Sequence, residues 1–162
     1  MIANIDCSPL NPHLQTSSLD SAEQSWHVSL RYVLGVRMAL YAIRLLDLSL
    51  PRDLKRLGVF VESDDALADG ICAQLNCESV RILDYGKLAA TFLDKENLRG
   101  IRLVARETAR TEAGLYAPEA RNRQEAMRLG YQRMSEKFLF SAHRLELVPS
   151  GEEAGRLERE CT

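Results

Sequence analysis

Long apolar runs, a basic surplus and a paired-cysteine framework are all missing from this chain, and each absence removes a class of function. The longest apolar stretch, Leu30 to Leu50, is interrupted by Arg31, Arg37, Arg44 and Asp47. Charges at that density argue against a membrane span. Lys and Arg total 21 against 23 Asp and Glu, a formal net charge of −2. Binding phosphate backbones needs a clustered basic face, so no nucleic-acid partner is expected. The four cysteines, Cys7, Cys72, Cys77 and Cys161, contain no CxxC pair. A disulfide scaffold is not expected at this size, and they read as reduced thiols. The first residues lack the basic start and apolar run of a secretory signal, so the expected location is the cytoplasm.

What is present is ordinary in bulk. A hydrophobic share of 46% with 27% charged residues is that of a globular domain. A chain of 162 residues is enough to bury one real core.

The chain divides into a polar N-terminal arm (1–18, with Pro9 and Pro12), a domain (19–148) and a charged tail from Pro149 (149–162). Asp20 and Glu23 have capping-box spacing and predict a helix start. A break near His27 to Ser29 is expected, with a longer helix continuing to about Leu46. That helix is apolar nearly all round, which implies burial on more than one side, one of them a homodimer contact. Leu57 to Glu62 reads as a buried strand. Ser63 caps a helix running to Asn76, with Asp64 and Asp65 in the first turn, where the dipole favours acids. Three short strands follow at Ser79–Leu83, Leu88–Leu93 and Gly100–Ala105, turning at Gly86 and Asn97. Arg121 to Met134 is an amphipathic helix with Ala126, Leu129 and Met134 inward, and His143 to Val148 is the last strand. This order predicts an α+β fold, a mainly antiparallel sheet with helices packed on its face.

Several motifs run together here: YVLGVRM at 32–38, VESD at 61–64, Asp69 through Cys77, DYGK at 84–87, ATF at 90–92 and EKFLF at 136–140. From about Gln24 to Val148 the chain resembles the family of the formylmethanofuran dehydrogenase E-subunit. Its members carry a pattern like HGHxCPG before a YxLGxRM helix, then VETDxCxxDAIQxxTGC and DYGKxAxTF. The resemblance implies an E-subunit-like sandwich and a cleft in which histidine and cysteines hold a metal. Against HGHxCPG this chain has Ser25, Trp26, His27, Val28, Ser29, Leu30 and Arg31. Only His27 is kept; Ser29 replaces the cysteine and Leu30-Arg31 the Pro-Gly pair. Ala66 stands where the second motif has cysteine, and the family's C-terminal zinc ribbon has no counterpart beyond Val148 except Cys161. Serine is a poor ligand for a borderline-soft metal and alanine is none. The family's metal site is therefore expected to be lost. A retained divalent metal (zinc, nickel or iron), which is not the favoured occupant, would fall to His27 and Cys77.

Each remaining candidate has a bland reading beside the functional one. His27 is a ligand, a general base or a hydrogen-bonded structural group. Asp64 and Asp65 lie where a strand feeds a helix, a usual place for site residues, and carboxylates there also complement the helix dipole; Asp69, one turn further, shares a helix face with Asp65. Cys77 is a ligand or a small buried group. The Asp84-Tyr85-Gly86-Lys87 turn is a hairpin or the rim of a cleft in which Lys87 or Tyr85 takes an anionic ligand group. Arg37 and Arg44 need acids if buried, from Asp69, Asp84 or a partner subunit. The reading that results is a small organic ligand or metal bound near a dimer interface, with Ser29, Asp64, Asp69, Asp84, Tyr85 and Arg37 as ligand-binding residues. The alternative is a small enzyme using His27 as acid/base, with Lys87 orienting a small polar substrate in the same cleft.

Overall fold

The computed structural model describes residues 29–75 and 80–148. The helix expected from Asp20, the N-terminal arm, the tail, His27 and Cys77 lie outside those residues.

Helix α1 (Leu30–Leu45) begins at Ser29, whose hydroxyl accepts the Arg31 backbone N–H at 3.3 Å. That satisfies one of the amides a first turn leaves open. After a 3-10 turn at Leu54–Arg56 the chain enters β1 (Leu57–Val61), then α2 (Asp65–Leu75) and β2 (Val80–Ile82). Strands β3 (Ala89–Asp94) and β4 (Arg99–Ala105) form a hairpin. Helix α3 (Glu107–Glu112) and a 3-10 turn (Ala113–Tyr116) lead to α4 (Arg123–Arg133), which Asn122 caps through the Glu125 N–H at 2.9 Å. The short α5 (Glu136–Leu139) runs directly into β5 (Phe140–Glu146).

The sheet order is β2-β1-β3-β4-β5, with β2 parallel to β1 and the other neighbours antiparallel. This is the expected α+β class. The three strands expected in succession after the second helix do not pair in chain order, however: β1 lies between β2 and β3. Helix α2 carries the chain back to the starting end of β1, so β2 pairs parallel on its outer side. The last strand starts at Phe140, three residues before the expected His143. Helices α3 and α5 were not expected; six and four residues give too few turns for a period to show.

Alternation along β1, β3 and β4 buries Val59, Val61, Phe92, Ile101 and Leu103 on one face. Leu34, Met38 and Ala42 of α1 join them in one core with Leu67 and Ile71 of α2. Each large apolar side chain so buried contributes about 1.5–3 kcal/mol.

Helices α1 and α2 meet backbone to backbone. A Cβ added at Gly35 would collide with the Leu67 carbonyl oxygen, and one at Gly70 with that of Tyr32. Only residues without side chains permit such an approach. On the other flank, Arg37 donates to the carbonyls of Gln132 and Met134 at the end of α4. Packing inside one chain therefore accounts for burial of α1 on more than one side, which the sequence alone assigns partly to a subunit contact.

Candidate functional site

Three segments converge where β1 ends. Val61 closes the strand, and Glu62, Ser63 and Asp64 lead into α2. The Glu62 main-chain carbonyl accepts both the Tyr85 N–H at 3.0 Å and the Lys87 N–H at 2.9 Å, while Leu83 N–H donates to Val61 at 2.8 Å. Two left-handed residues, Asp84 at φ +48 and Gly86 at φ +72, let the loop turn tightly enough for this. The loop thus lies against the end of β1 with Asp84, Tyr85 and Lys87 exposed.

The side chain of the same Glu62 makes an ion pair that sequence reasoning missed. Arg102 donates to both oxygens of the Glu62 carboxylate, from Nε at 2.6 Å and Nη2 at 2.7 Å. These hydrogen bonds hold the Glu62 carboxyl below the usual range against the opposing effect of burial, and the charges of Arg102 and Lys87 add to them. The same bond raises the Arg102 guanidinium. Glu62 is an ionised anchor at neutral pH, not a proton donor. A signal for the pair was present: Arg102 falls between the inward Ile101 and Leu103, and Glu62 follows the inward Val61. The register that brings them together is not local.

The third segment is the start of α1. Arg31 pairs with Asp64 through Nη1 and Oδ2. The other oxygen, Asp64 Oδ1, is shielded from solvent and has no hydrogen-bond partner among the described residues. Ser29, Asp64 and the 84–87 loop are therefore brought to one end of the molecule.

Other candidates lie elsewhere. Asp69 is exposed on α2. Arg37 is occupied by the α4 carbonyls and by Glu136 at 3.2 Å; Arg44 reaches the same Glu136 oxygen at 2.6 Å. Within the chain, the acid serving both arginines is Glu136 rather than Asp69 or Asp84. Burial lowers the Arg37 guanidinium and Glu136 counteracts it. Cys72 is disulfide-bonded, which corrects the reading of all four cysteines as reduced thiols; the other cysteine is outside the described residues. No cluster of three or more His, Cys, Asp or Glu able to hold a metal occurs among the described residues.

The sequence pattern of FmdE, described as molybdenum formylmethanofuran dehydrogenase operon, matches residues 27–148. The chain belongs to the FmdE family. A solved structure of a tungsten formylmethanofuran dehydrogenase E-subunit (FmdE)-like protein from Syntrophus aciditrophicus is similar at 17% identity and a TM-score of 0.49. The match covers 75% of this chain and 65% of that one, so this FmdE domain spans about two-thirds of that protein's length. No curated protein matches the chain. Among the described residues of the FmdE domain, no helix is long and apolar enough to cross a membrane.

Two residues at the start of the matched region have structural roles: Ser29 caps α1, and Arg31 reaches Asp64.

Proposed function

We propose that this FmdE domain binds a small polar organic molecule in the cleft between Ser29, Asp64 and the 84–87 loop, beside a homodimer contact. The observation that carries this reading is the orphaned Asp64 Oδ1. A shielded acceptor without a donor costs about 1–3 kcal/mol, which an N–H or O–H of a ligand would recover. Lys87, on a loop pinned to the Glu62 carbonyl, supplies a cation for an anionic group on the same molecule. The Glu62–Arg102 pair fixes Glu62, the residue whose carbonyl holds the loop.

Among the described residues, the donor set does not suit the metal that the family resemblance implies. Ser29 Oγ accepts a helix amide, Ala66 offers no ligand atom, and the Asp64 carboxylate is paired with Arg31. A borderline-soft cation needs thiolate or imidazole at such positions, so no step through a metal is derived.

The homodimer part of the reading rests on apolar surface next to the loop. Ile82, Leu83 and Tyr85 are 44%, 38% and 67% exposed, at the end of the three-residue edge strand β2. Exposed apolar side chains grouped at a sheet edge support contact with a second copy.

The purified protein tests the proposal by native mass spectrometry with parallel metal analysis. The expected result is no near-stoichiometric zinc, nickel or iron, together with small-molecule adducts that Asp64→Ala abolishes. One tightly held metal ion per chain would contradict the reading and restore a site built on His27 and Cys77.

A further inference from the structure

A cavity of about 340 Å³ lies on the helix side of the sheet and shares no residue with the cleft above. Its walls are mainly apolar, from Leu34 of α1, Leu88 before β3, Ala105 at the end of β4 and Ala109 of α3. Tyr131 of α4 also lines it. Tyr131 is only 5% exposed, and its hydroxyl makes no hydrogen bond among the described residues. The hydroxyl is therefore available to a molecule in the cavity.

Three charged residues complete the lining. Arg106 is tied down, its Nε donating to the Phe140 carbonyl at 3.0 Å. Arg110 is exposed and has no acidic partner among the described residues. It is close enough to Tyr131 that its charge lowers the phenol against the larger, raising effect of burial. Glu107 is the one acid in the lining.

We propose that this cavity is a second ligand site, taking a small organic carboxylate with an apolar body, held by the Arg110 guanidinium and the Tyr131 hydroxyl. The volume and apolar walls suit a small organic molecule with few polar anchors. The free guanidinium supplies a charge-assisted bond to a carboxylate oxygen, and the phenol donates to the same group. Glu107 disfavours a second negative charge, so a monoanion with a hydrocarbon tail fits better than phosphate. The site goes beyond the cleft proposal and stands or falls separately from it.

The test titrates the full chain with hexanoate, hexanamide and inorganic phosphate, read by calorimetry and by amide shifts in a nitrogen-15-labelled sample. Hexanoate is expected to bind and to shift the amides of Ala109, Arg110 and Tyr131. Hexanamide and phosphate should bind at least about tenfold more weakly, and Arg110→Gln should weaken hexanoate by about tenfold or more. Tyr131→Phe keeps the packing and should weaken it by a few-fold. No hexanoate binding at millimolar concentration overturns the proposal. So does equal binding of hexanamide or phosphate, or unchanged affinity in a folded Arg110→Gln protein. Shifts confined to residues 84–87 would also overturn it, by placing the carboxylate in the cleft near Lys87.

Discussion

Arg102 holds both carboxylate oxygens of Glu62, at 2.6 and 2.7 Å, across 40 residues of sequence. The same Glu62 offers its main-chain carbonyl to the loop that carries Lys87. One residue thus joins the sheet to the 84–87 loop. Arg102→Leu leaves a largely buried carboxylate without its donors and is expected to cost about 1–3 kcal/mol, moderated by solvent because Arg102 is 30% exposed. Adding Glu62→Gln to that variant should recover part of the loss. Urea denaturation of the two single variants and the double variant measures this; no recovery in the double would mean that the carboxylate is not the cause.

The pH dependence follows from the direction of the shifts. Hydrogen bonds from Arg102 hold Glu62 below its ordinary value of 4.5. For Asp94, burial pushes upward, but the Asn97 hydrogen bonds and the Arg56 charge outweigh it and keep the carboxyl below 3.8. A carboxylate more acidic in the folded state leaves the unfolded chain to take up the proton first. Its stabilisation is present above the unfolded value and is lost as pH falls through the folded one. Stability should therefore be nearly level from neutrality to about pH 5 and decline below that. In Glu62→Gln the decline should be shallower, which chemical denaturation at a series of pH values would show.

The contact between α1 and α2 leaves no room for a methyl group at either glycine. Gly35→Ala or Gly70→Ala would drive a Cβ into a carbonyl oxygen of the facing helix. Helix propensity gains about 1 kcal/mol from each change, yet overpacking against backbone costs more. Both variants are expected to lower the melting temperature, while Gly58→Ala, where an added Cβ meets nothing within 4 Å, should not show that clash penalty.

The dimer proposal predicts a specific failure. Ile82→Asp and Tyr85→Ser alter exposed side chains and should leave the fold intact. Analytical ultracentrifugation should show a dimer for the parent protein and a shift to monomer for the variants. A monomeric parent, or variants that remain dimeric, would remove that surface from the account.

Local signals carried much of the fold. The apolar run at Leu57–Glu62 and turn residues at Gly86 and Asn97 located β1, β3 and β4 to within one or two residues. The parallel place of β2 was hidden because it depends on where α2 returns the chain. In the site, Asp64 and the DYGK turn could be picked out as polar residues next to structured elements. Their connections could not: Arg31 meets Asp64 across 33 positions, and Arg37 reaches Met134 across 97. Reading Arg31 only as a departure from a Pro-Gly pair missed its carboxylate partner. Arg37 was set among ligand-binding candidates, and the structure gives it a place holding α4 to α1.

The central claim is that the cleft binds a polar organic molecule through Asp64 and Lys87. Amide-shift mapping of the full chain against a set of small amines, amides and hydroxy acids tests it most directly. The account predicts at least one compound whose shifts cluster at Ser29, Asp64 and residues 84–87, and whose binding is lost in Asp64→Ala and weakened in Lys87→Ala. Shifts that never involve those residues, or binding unchanged in a folded Asp64→Ala protein, would contradict it.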